Sequence, residues 1–144
     1  MMTLRKFLQT GLLAIGASLA TGTMAQTASP PPAKVVFQVS DGDAAKWNLA
    51  LNNAKNVQQE LGASKVQIEI VAYGPGIGML KDDATTANRV SEAVQSGVQV
   101  VACENTMTAL KLTKADMNKS IGYVPAGVVE LMKRQSEGWA YIRP

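Results

Sequence analysis

The sequence predicts an α/β domain built on a mostly parallel sheet of about five strands, with helices on both faces. Short valine-rich runs alternate with longer segments in which apolar residues recur at helical spacing. Glycines follow the first two helical segments. This alternation continues along the whole domain, and a parallel strand pair needs such a crossover connection. The carboxyl ends of the strands should therefore share one edge, where ligands bind in sheets of this kind.

The first part of the domain is predicted to be a strand, a helix and a second strand. The run 34–40 forms the first strand, and Asp41 or Asp43 is positioned to cap the helix that follows it. Apolar residues continue at helical spacing until Gly62, which ends this helix. Residues 65–73 form the second strand, and their apolar side chains at first alternate with polar ones.

The middle of the domain is predicted to be a loop, a helix and a third strand. Residues 74–83 form a glycine-rich loop, and Asp82 or Asp83 caps the helix after it. That helix ends at Gly97. Residues 98–102 are apolar enough for a buried strand.

The last part adds two helices and two strands. A short helix at 105–112 is predicted to have Asn105 as its cap, and 120–124 is the fourth strand. Pro125 suits the first turn of the last helix. The final strand, 138–144, is expected at a sheet edge because its last residue is a proline, which cannot donate to a strand ladder.

The N-terminal residues are predicted to be an export signal rather than part of the fold. Residues 1–25 combine two basic residues, an apolar run and small residues at 23 and 25, which is the pattern of a cleaved secretory signal. Residues 26–33 are a proline-rich linker, and 34–144 form the domain. The protein is therefore expected in the periplasm or outside the cell, without a stable membrane span after cleavage. A retained N-terminal anchor is the alternative.

The charge of the chain does not favour nucleic-acid binding. The sequence has 14 basic and 11 acidic residues, and without Arg5 and Lys6 the balance is 12 to 11, a net charge of +1. The basic residues are scattered and are not interleaved with aromatic ones, as they are in nucleic-acid interfaces. We expect no nucleic-acid partner.

The absence of histidine and the single cysteine exclude several kinds of site. Without histidine, neither a Ser-His-Asp triad nor a Cys-His pair can form, and the commonest zinc ligand is missing. A single cysteine, Cys103, excludes an internal disulfide, a CxxC redox pair and a four-cysteine metal site. An unpaired cysteine in an exported protein is unusual enough to be a candidate functional group.

Cys103 follows the third strand directly and stands at the start of a helix. The free N–H groups of a helix N-terminus stabilise a thiolate and lower its pKa, whereas a nearby Glu104 carboxylate would oppose this effect. The alternative is a buried cysteine that fills space in the core. The candidate binding rim at the same edge consists of Asp41, Tyr73, Gly74, Gly76, Gly78, Glu104 and Asn105.

No cofactor or metal is predicted. The loop sequence GPGIG places Met79 where a dinucleotide-binding GxGxxG motif needs its third glycine. Asp41 and Asp43 would repel the phosphate of a flavin nucleotide. A metal site formed by these two residues with Glu104 is conceivable, but the spacing matches no calcium loop.

Three segments together resemble the DsrE/DsrF-like family, in its short single-domain branch and as an exported member. They are VSDGDAAKWNLALNNAKNV, VAYGPGI and VVACENTMTALKLTKADM. The resemblance implies a flavodoxin-like three-layer fold that assembles into trimers or hexamers. It also implies that Cys103 accepts a sulfane sulfur as a persulfide from a donor protein and passes it to an acceptor protein.

Two hypotheses of different classes follow. In the first, the protein is a periplasmic sulfur carrier or sulfurtransferase that uses Cys103. In the second, it is a non-catalytic oligomeric module that binds a small molecule or a protein, and its cysteine is structural. A thiol sensor, in which Cys103 is oxidised without onward transfer, is a third and weaker option.

Overall fold

The computed structural model describes residues 29–144. The predicted signal, 1–25, and the first three residues of the predicted linker lie outside the described residues. The helices and strands, in chain order, are β1 (Ala33–Val39), α1 (Ala44–Leu61), β2 (Val66–Ala72), α2 (Ala87–Gln95), β3 (Gln99–Cys103), α3 (Glu104–Ala109), β4 (Gly122–Val124), α4 (Gly127–Ser136) and β5 (Ala140–Ile142). Short 3-10 helices span Ala63–Lys65, Gly74–Leu80 and Lys114–Asp116.

The five strands form one all-parallel sheet in the order β4-β3-β2-β1-β5. The predicted α/β class and strand number are confirmed. From β1 the chain moves one strand at a time to β4, and then crosses to the opposite edge, where β5 pairs with β1. This order differs from the 2-1-3-4-5 order of flavodoxin itself.

The two faces of the sheet are covered unequally. Helices α1 and α2 pack on the first face, over a large apolar core that includes the fully buried Phe37 and Ile70. On the second face, α4 packs on β1 and β2, and a much smaller apolar cluster joins Leu131 and Trp139 to strand residues. Residues alternate between the faces because successive side chains of a strand point to opposite sides.

The longest helix of the described residues is α1, with 18 residues, and it is amphipathic. Ala50, Leu51 and Ala54 are buried against the sheet, whereas the opposite side is polar and exposed. Within 29–144, no helix is both long enough and apolar enough to cross a membrane.

Helix starts were predicted less well than the sheet. Asp43 caps α1, since its carboxylate accepts the Ala45 N–H at 2.8 Å. Neither Asp82 nor Asp83 caps α2, because the chain first makes further turns and the helix begins only after Thr86. The buried Thr86 hydroxyl instead donates to the Met79 carbonyl at 3.0 Å.

Candidate functional site

Cys103 ends β3 and is itself the N-cap residue of α3. The prediction that Asn105 caps this helix is wrong. Cys103 still pairs with Val124 in the sheet, and the helix starts at the very next residue, so no linking residue is left to act as a cap. Cys103 is only 5 % exposed. Its sulfur therefore lies at the carboxyl edge of the sheet, directly beside the first turn of α3.

Polar groups near Cys103 lower the pKa of its thiol. Burial by itself raises the thiol pKa, but donors from Thr106, Gly127 and Asn105 outweigh it, and the pKa lies below its ordinary value. The donors are the Thr106 hydroxyl and the backbone N–H groups of all three residues. Because these groups favour the charged form, the site stabilises a thiolate without a neighbouring histidine.

The Thr106 hydroxyl is oriented by the glycine-rich segment. The Gly74 N–H donates to Thr106 Oγ1 at 2.9 Å, so the hydroxyl accepts one hydrogen bond and its own hydrogen is free to point to the sulfur. The Asn105 N–H is shared, because it also donates to the Pro125 carbonyl at 3.1 Å. Among the backbone groups, Gly127 and Thr106 lower the thiol pKa more than Asn105 does.

Gly127 brings a second helix to the sulfur. It is the first residue of α4, where N–H groups have no partner within the helix. A Cβ at this position would lie 3.0 Å from Tyr73 Cβ, closer than ordinary van der Waals contact, so glycine lets the helix approach Tyr73 closely. Met107 of α3 belongs to the core of the first face and Leu131 of α4 to that of the second. Donors thus reach Cys103 from helices on both faces of the sheet.

The structure divides the predicted rim residues into two groups. Four of them lie near Cys103. Glu104 and Asn105 follow it in the chain, Gly74 binds Thr106, and Tyr73 packs at Gly127. Glu104 pairs with Lys114 at 3.8 Å, and Asn105 is exposed. These four residues form the surroundings of the thiol together with Thr106 and Gly127.

Asp41, Gly76 and Gly78 lie at the half of the edge formed by β1. The Asp41 carboxylate pairs with Lys46 at 3.3 Å and Arg143 at 3.6 Å. A Cβ on Gly76 would lie 2.2 Å from the Val39 carbonyl oxygen, and one on Gly78 would lie 2.9 Å from the Trp47 ring. Both glycines thus permit close packing on β1 and α1.

The structure does not bring the conceivable metal ligands together. Asp41, Asp43 and Glu104 form no cluster, and within the described part of the chain no three cysteine or carboxylate groups lie close enough to hold a metal ion. Asp43 caps α1, and the other two carboxylates pair with lysine or arginine.

Sequence reasoning missed two residues that lower the thiol pKa, Thr106 and Gly127. Thr106 follows the N-cap by three residues, which is the spacing at which side chains interact with an N-cap residue, so a signal was present. Gly127 lies 24 positions after Cys103, and nothing in its local sequence indicates that its N–H faces the thiol. Only the packing of α4 on the sheet brings it there.

Comparisons with known proteins show the family to which this chain is similar. A model of the DsrE/DsrF-like family matches residues 33–144. The structure of a protein of unknown function, MTH1491 from Methanobacterium thermoautotrophicum, is 37% identical, with a TM-score of 0.74, and the match covers 78% of this chain and 99% of that one. The structure of BT1422 from Bacteroides thetaiotaomicron, also of unknown function, is 16% identical over 77% of this chain and 94% of that one, with a TM-score of 0.59, and shows the fold alone. No curated protein matches the chain significantly.

Proposed function

Because the chain belongs to the DsrE/DsrF-like family, we propose that it is a sulfur-relay protein that holds sulfane sulfur as a persulfide on Cys103. The observation that carries this proposal is the set of donors around the sulfur, which lowers the thiol pKa despite burial. A relay cysteine must be a thiolate to attack sulfur, and these donors favour the thiolate. The reaction needs no histidine, metal or second cysteine on the same chain.

The transfer is a pair of thiol–persulfide exchanges that balance without an oxidant. The Cys103 thiolate attacks the outer sulfur of a donor persulfide, R–S–SH. A new S–S bond forms, the donor S–S bond breaks, and the donor leaves as its thiolate R–S⁻. In the second step, an acceptor thiolate attacks the outer sulfur held on Cys103 and takes it with its proton, which regenerates the Cys103 thiolate. The partners in this proposal are a sulfur donor protein and a sulfur acceptor protein.

The same donors suit each state in this cycle. The N–H groups of Thr106 and Gly127 face a negative sulfur when Cys103 is the attacking thiolate and again when it is the leaving group. Fixed donors of this kind need little reorganisation during the reaction. The arrangement therefore favours both loading and unloading of sulfur.

The test is the sulfur content of Cys103 after exposure to polysulfide. We expect intact-protein mass spectrometry to show a gain of one sulfur atom in the wild type and none in Cys103→Ser. Dithiothreitol should remove this sulfur, and cyanide should remove it as thiocyanate. The alkylation rate should follow a pKa below the free-thiol value of about 8.5. An unmodified Cys103 that resists alkylation until the protein unfolds would exclude the carrier function.

A non-catalytic binding module is the second candidate, and the 5 % exposure of Cys103 favours it. In that case Cys103→Ala would leave ligand or partner binding unchanged and cost only stability, about 1 to 2 kcal/mol for a small buried side chain. In the relay, the same substitution abolishes sulfur loading. A thiol sensor would differ from both, because Cys103 would be oxidised but would not pass a sulfur to an acceptor thiol.

We propose that the protein assembles as a homo-oligomer, a trimer or a hexamer. Helix α4 exposes Val128, Val129 and Met132, which are 52%, 62% and 65% accessible in the single chain. Exposed apolar groups clustered on one element are typical of protein–protein contact surfaces. Light scattering on the purified domain tests this proposal. A monomer at all concentrations would contradict it, and Met132→Glu should weaken an assembly that uses this surface.

The proposed location is the periplasm or the cell exterior, after removal of residues 1–25. The support is the three-part signal pattern of the N-terminal sequence. Cell fractionation followed by intact-mass measurement tests it. A protein that begins at Gln26 in the soluble periplasmic fraction agrees with cleavage, whereas a full-length protein in the membrane fraction would indicate a retained anchor.

A further inference from the structure

A buried ionic cluster holds α4 on the second face of the sheet. Glu69, on β2, is only 1% exposed, and its carboxylate accepts a hydrogen bond from the Arg134 guanidinium. Arg134 also pairs with Glu130 at 2.8 Å and Glu137 at 3.3 Å. Its guanidinium carbon lies 4.7 Å from the centre of the Trp139 ring. One α4 side chain therefore connects the central strand of the sheet, two turns of its own helix and the segment that leads to β5.

This cluster is a large part of what fixes α4 in place. The apolar contact on this face is small, and Leu131 is the one α4 side chain in its buried cluster. On α4, Val128, Val129 and Met132 are exposed, so they add little to the contact with the sheet. A bidentate-capable arginine that binds a buried carboxylate restricts both position and orientation of its helix.

The position of α4 matters at its first residue. Cys103 pairs with Val124 and the Asn105 N–H donates to the Pro125 carbonyl, so the start of α4 lies beside Cys103. The Gly127 N–H is one of the groups that lower the thiol pKa, and a Cβ on Gly127 would lie 3.0 Å from Tyr73 Cβ. Arg134 lies seven residues, or about two helical turns, further along the same helix. A helix moves as a nearly rigid rod over this length, so a shift at Arg134 moves the Gly127 N–H relative to the sulfur.

We propose that Glu69 and Arg134 are a positioning pair that holds the N-terminus of α4 against Cys103. The proposal rests on the proposed function, because it assigns to this pair the control of thiol reactivity in the relay. Neither side chain contacts the sulfur. Their role is to keep one of its donors in place, from the other end of the helix.

The main test is a double variant, Glu69→Gln with Arg134→Met. It removes the ion pair together with the charge of Glu69, the most deeply buried of the carboxylates that pair with Arg134. A Glu69 charge left unpaired would by itself destabilise the fold strongly. We expect the Cys103 thiol pKa, measured from the alkylation rate against pH, to rise by about half a unit as the Gly127 hydrogen bond weakens. In NMR spectra of the wild type, the Gly127 amide resonance should titrate together with Cys103. In the double variant this response should be smaller or lost.

Two further variants separate positioning from stability. Val90→Ala removes buried methyl groups from α2 on the opposite face, so it destabilises the fold without touching α4, and the thiol pKa should stay at the wild-type value. Arg134→Lys keeps the charge but loses the planar fork, and should raise the thiol pKa by a smaller amount than the double variant. It also serves as the test if the double variant does not fold.

The outcomes distinguish this inference from the proposed function. A low thiol pKa in the wild type that neither Arg134 variant changes would overturn the positioning role alone. An ordinary thiol pKa in the wild type, together with no sulfur loading, would overturn the proposed function and the positioning role with it. A pKa that rises equally in Val90→Ala would also overturn the positioning role, because a general loss of stability would then explain the effect.

Discussion

The two halves of the carboxyl edge use similar residues for different purposes. In the half formed by β2, β3 and β4, N–H and hydroxyl groups near Cys103 lower the pKa of its thiol. In the half formed by β1 and β5, Gly76 and Gly78 make room for the backbone of β1 and the Trp47 ring, and Asp41 pairs with two exposed cations. The first half has the groups for chemistry, and the second provides close packing.

The comparison shows that a position at the correct edge does not define a site. Strands β1 and β3 are separated by β2, and adjacent strands lie about 4.8 Å apart, so their ends are about 10 Å from each other. Side chains at the end of β1 are therefore too distant to act on a thiol at the end of β3 without a bound ligand between them. Independent substitutions in the two halves test this separation.

The largest effect is expected from Gly76→Ala. The added Cβ would meet the Val39 carbonyl oxygen at 2.2 Å and Ser40 Cα at 2.9 Å, and both are backbone atoms that cannot move aside alone. We expect a loss of about 3 kcal/mol or more in the free energy of unfolding, measured by urea denaturation. The control is Gly42→Ala, whose Cβ would meet Pro75 Cβ at 3.3 Å and the Pro75 carbonyl oxygen at 3.8 Å, and which should cost less than about 1 kcal/mol. Equal losses in the two variants would contradict the packing role of Gly76.

Thr106→Val should change the thiol rather than the fold. It removes the hydroxyl that donates to Cys103, and because a hydrogen bond to a charged group contributes about 1.5 to 3 kcal/mol, the thiol pKa should rise by about one to two units. Thr106→Ser keeps a hydroxyl group, so its thiol pKa should stay close to the wild-type value. The matched control is Thr108→Val on the same helix, whose hydroxyl donates to the Glu104 carbonyl instead. A thiol pKa that rises in Thr108→Val as in Thr106→Val would argue against direct donation.

The lowered thiol pKa also predicts how stability depends on pH. The unfolded chain has a thiol pKa of about 8.5, and that of the folded protein is lower, so between the two values the unfolded state binds more protons. The contribution of Cys103 to stability is therefore fully present above the unfolded pKa and is lost as pH falls through the folded pKa.

The measurement is the unfolding free energy of wild type and Cys103→Ala at several pH values. The unfolding free energy of the wild type should increase relative to that of Cys103→Ala as pH rises towards 9. The total increase should be about 1.4 kcal/mol for each unit that separates the folded and unfolded thiol pKa values. A difference that is constant with pH would mean that the folded thiol has an ordinary pKa. In that case the role of Cys103 would be packing.

Most of the sheet could be predicted from the sequence because period and composition are local signals. The segment 98–102 is largely apolar, and the structure places β3 at Gln99–Cys103, a strand of the same length that starts one residue later. The start of α2 was placed too early, because a loop with two adjacent aspartates offers caps that the chain does not use. At the site, the position of Cys103 at a strand end and helix start could be predicted. The contribution of Gly127 could not, since it depends on how α4 packs after its chain segment crosses the sheet.

The smallest effect is expected from Asp41→Asn, which tests the separation of the two halves most directly. Within residues 29–144, the Asp41 carboxylate pairs with Lys46 and Arg143, whose side chains are 44% and 53% exposed. Such surface pairs contribute about 0.2 to 1 kcal/mol. The substitution keeps the shape of the side chain, so unfolding free energy should fall by that amount or less. The thiol pKa of Cys103 should not change, because a charge about 10 Å away in contact with solvent is strongly screened at ordinary salt. A change in the Cys103 thiol pKa in Asp41→Asn would show that the two halves act as one site, and that Asp41 takes part in the chemistry of Cys103.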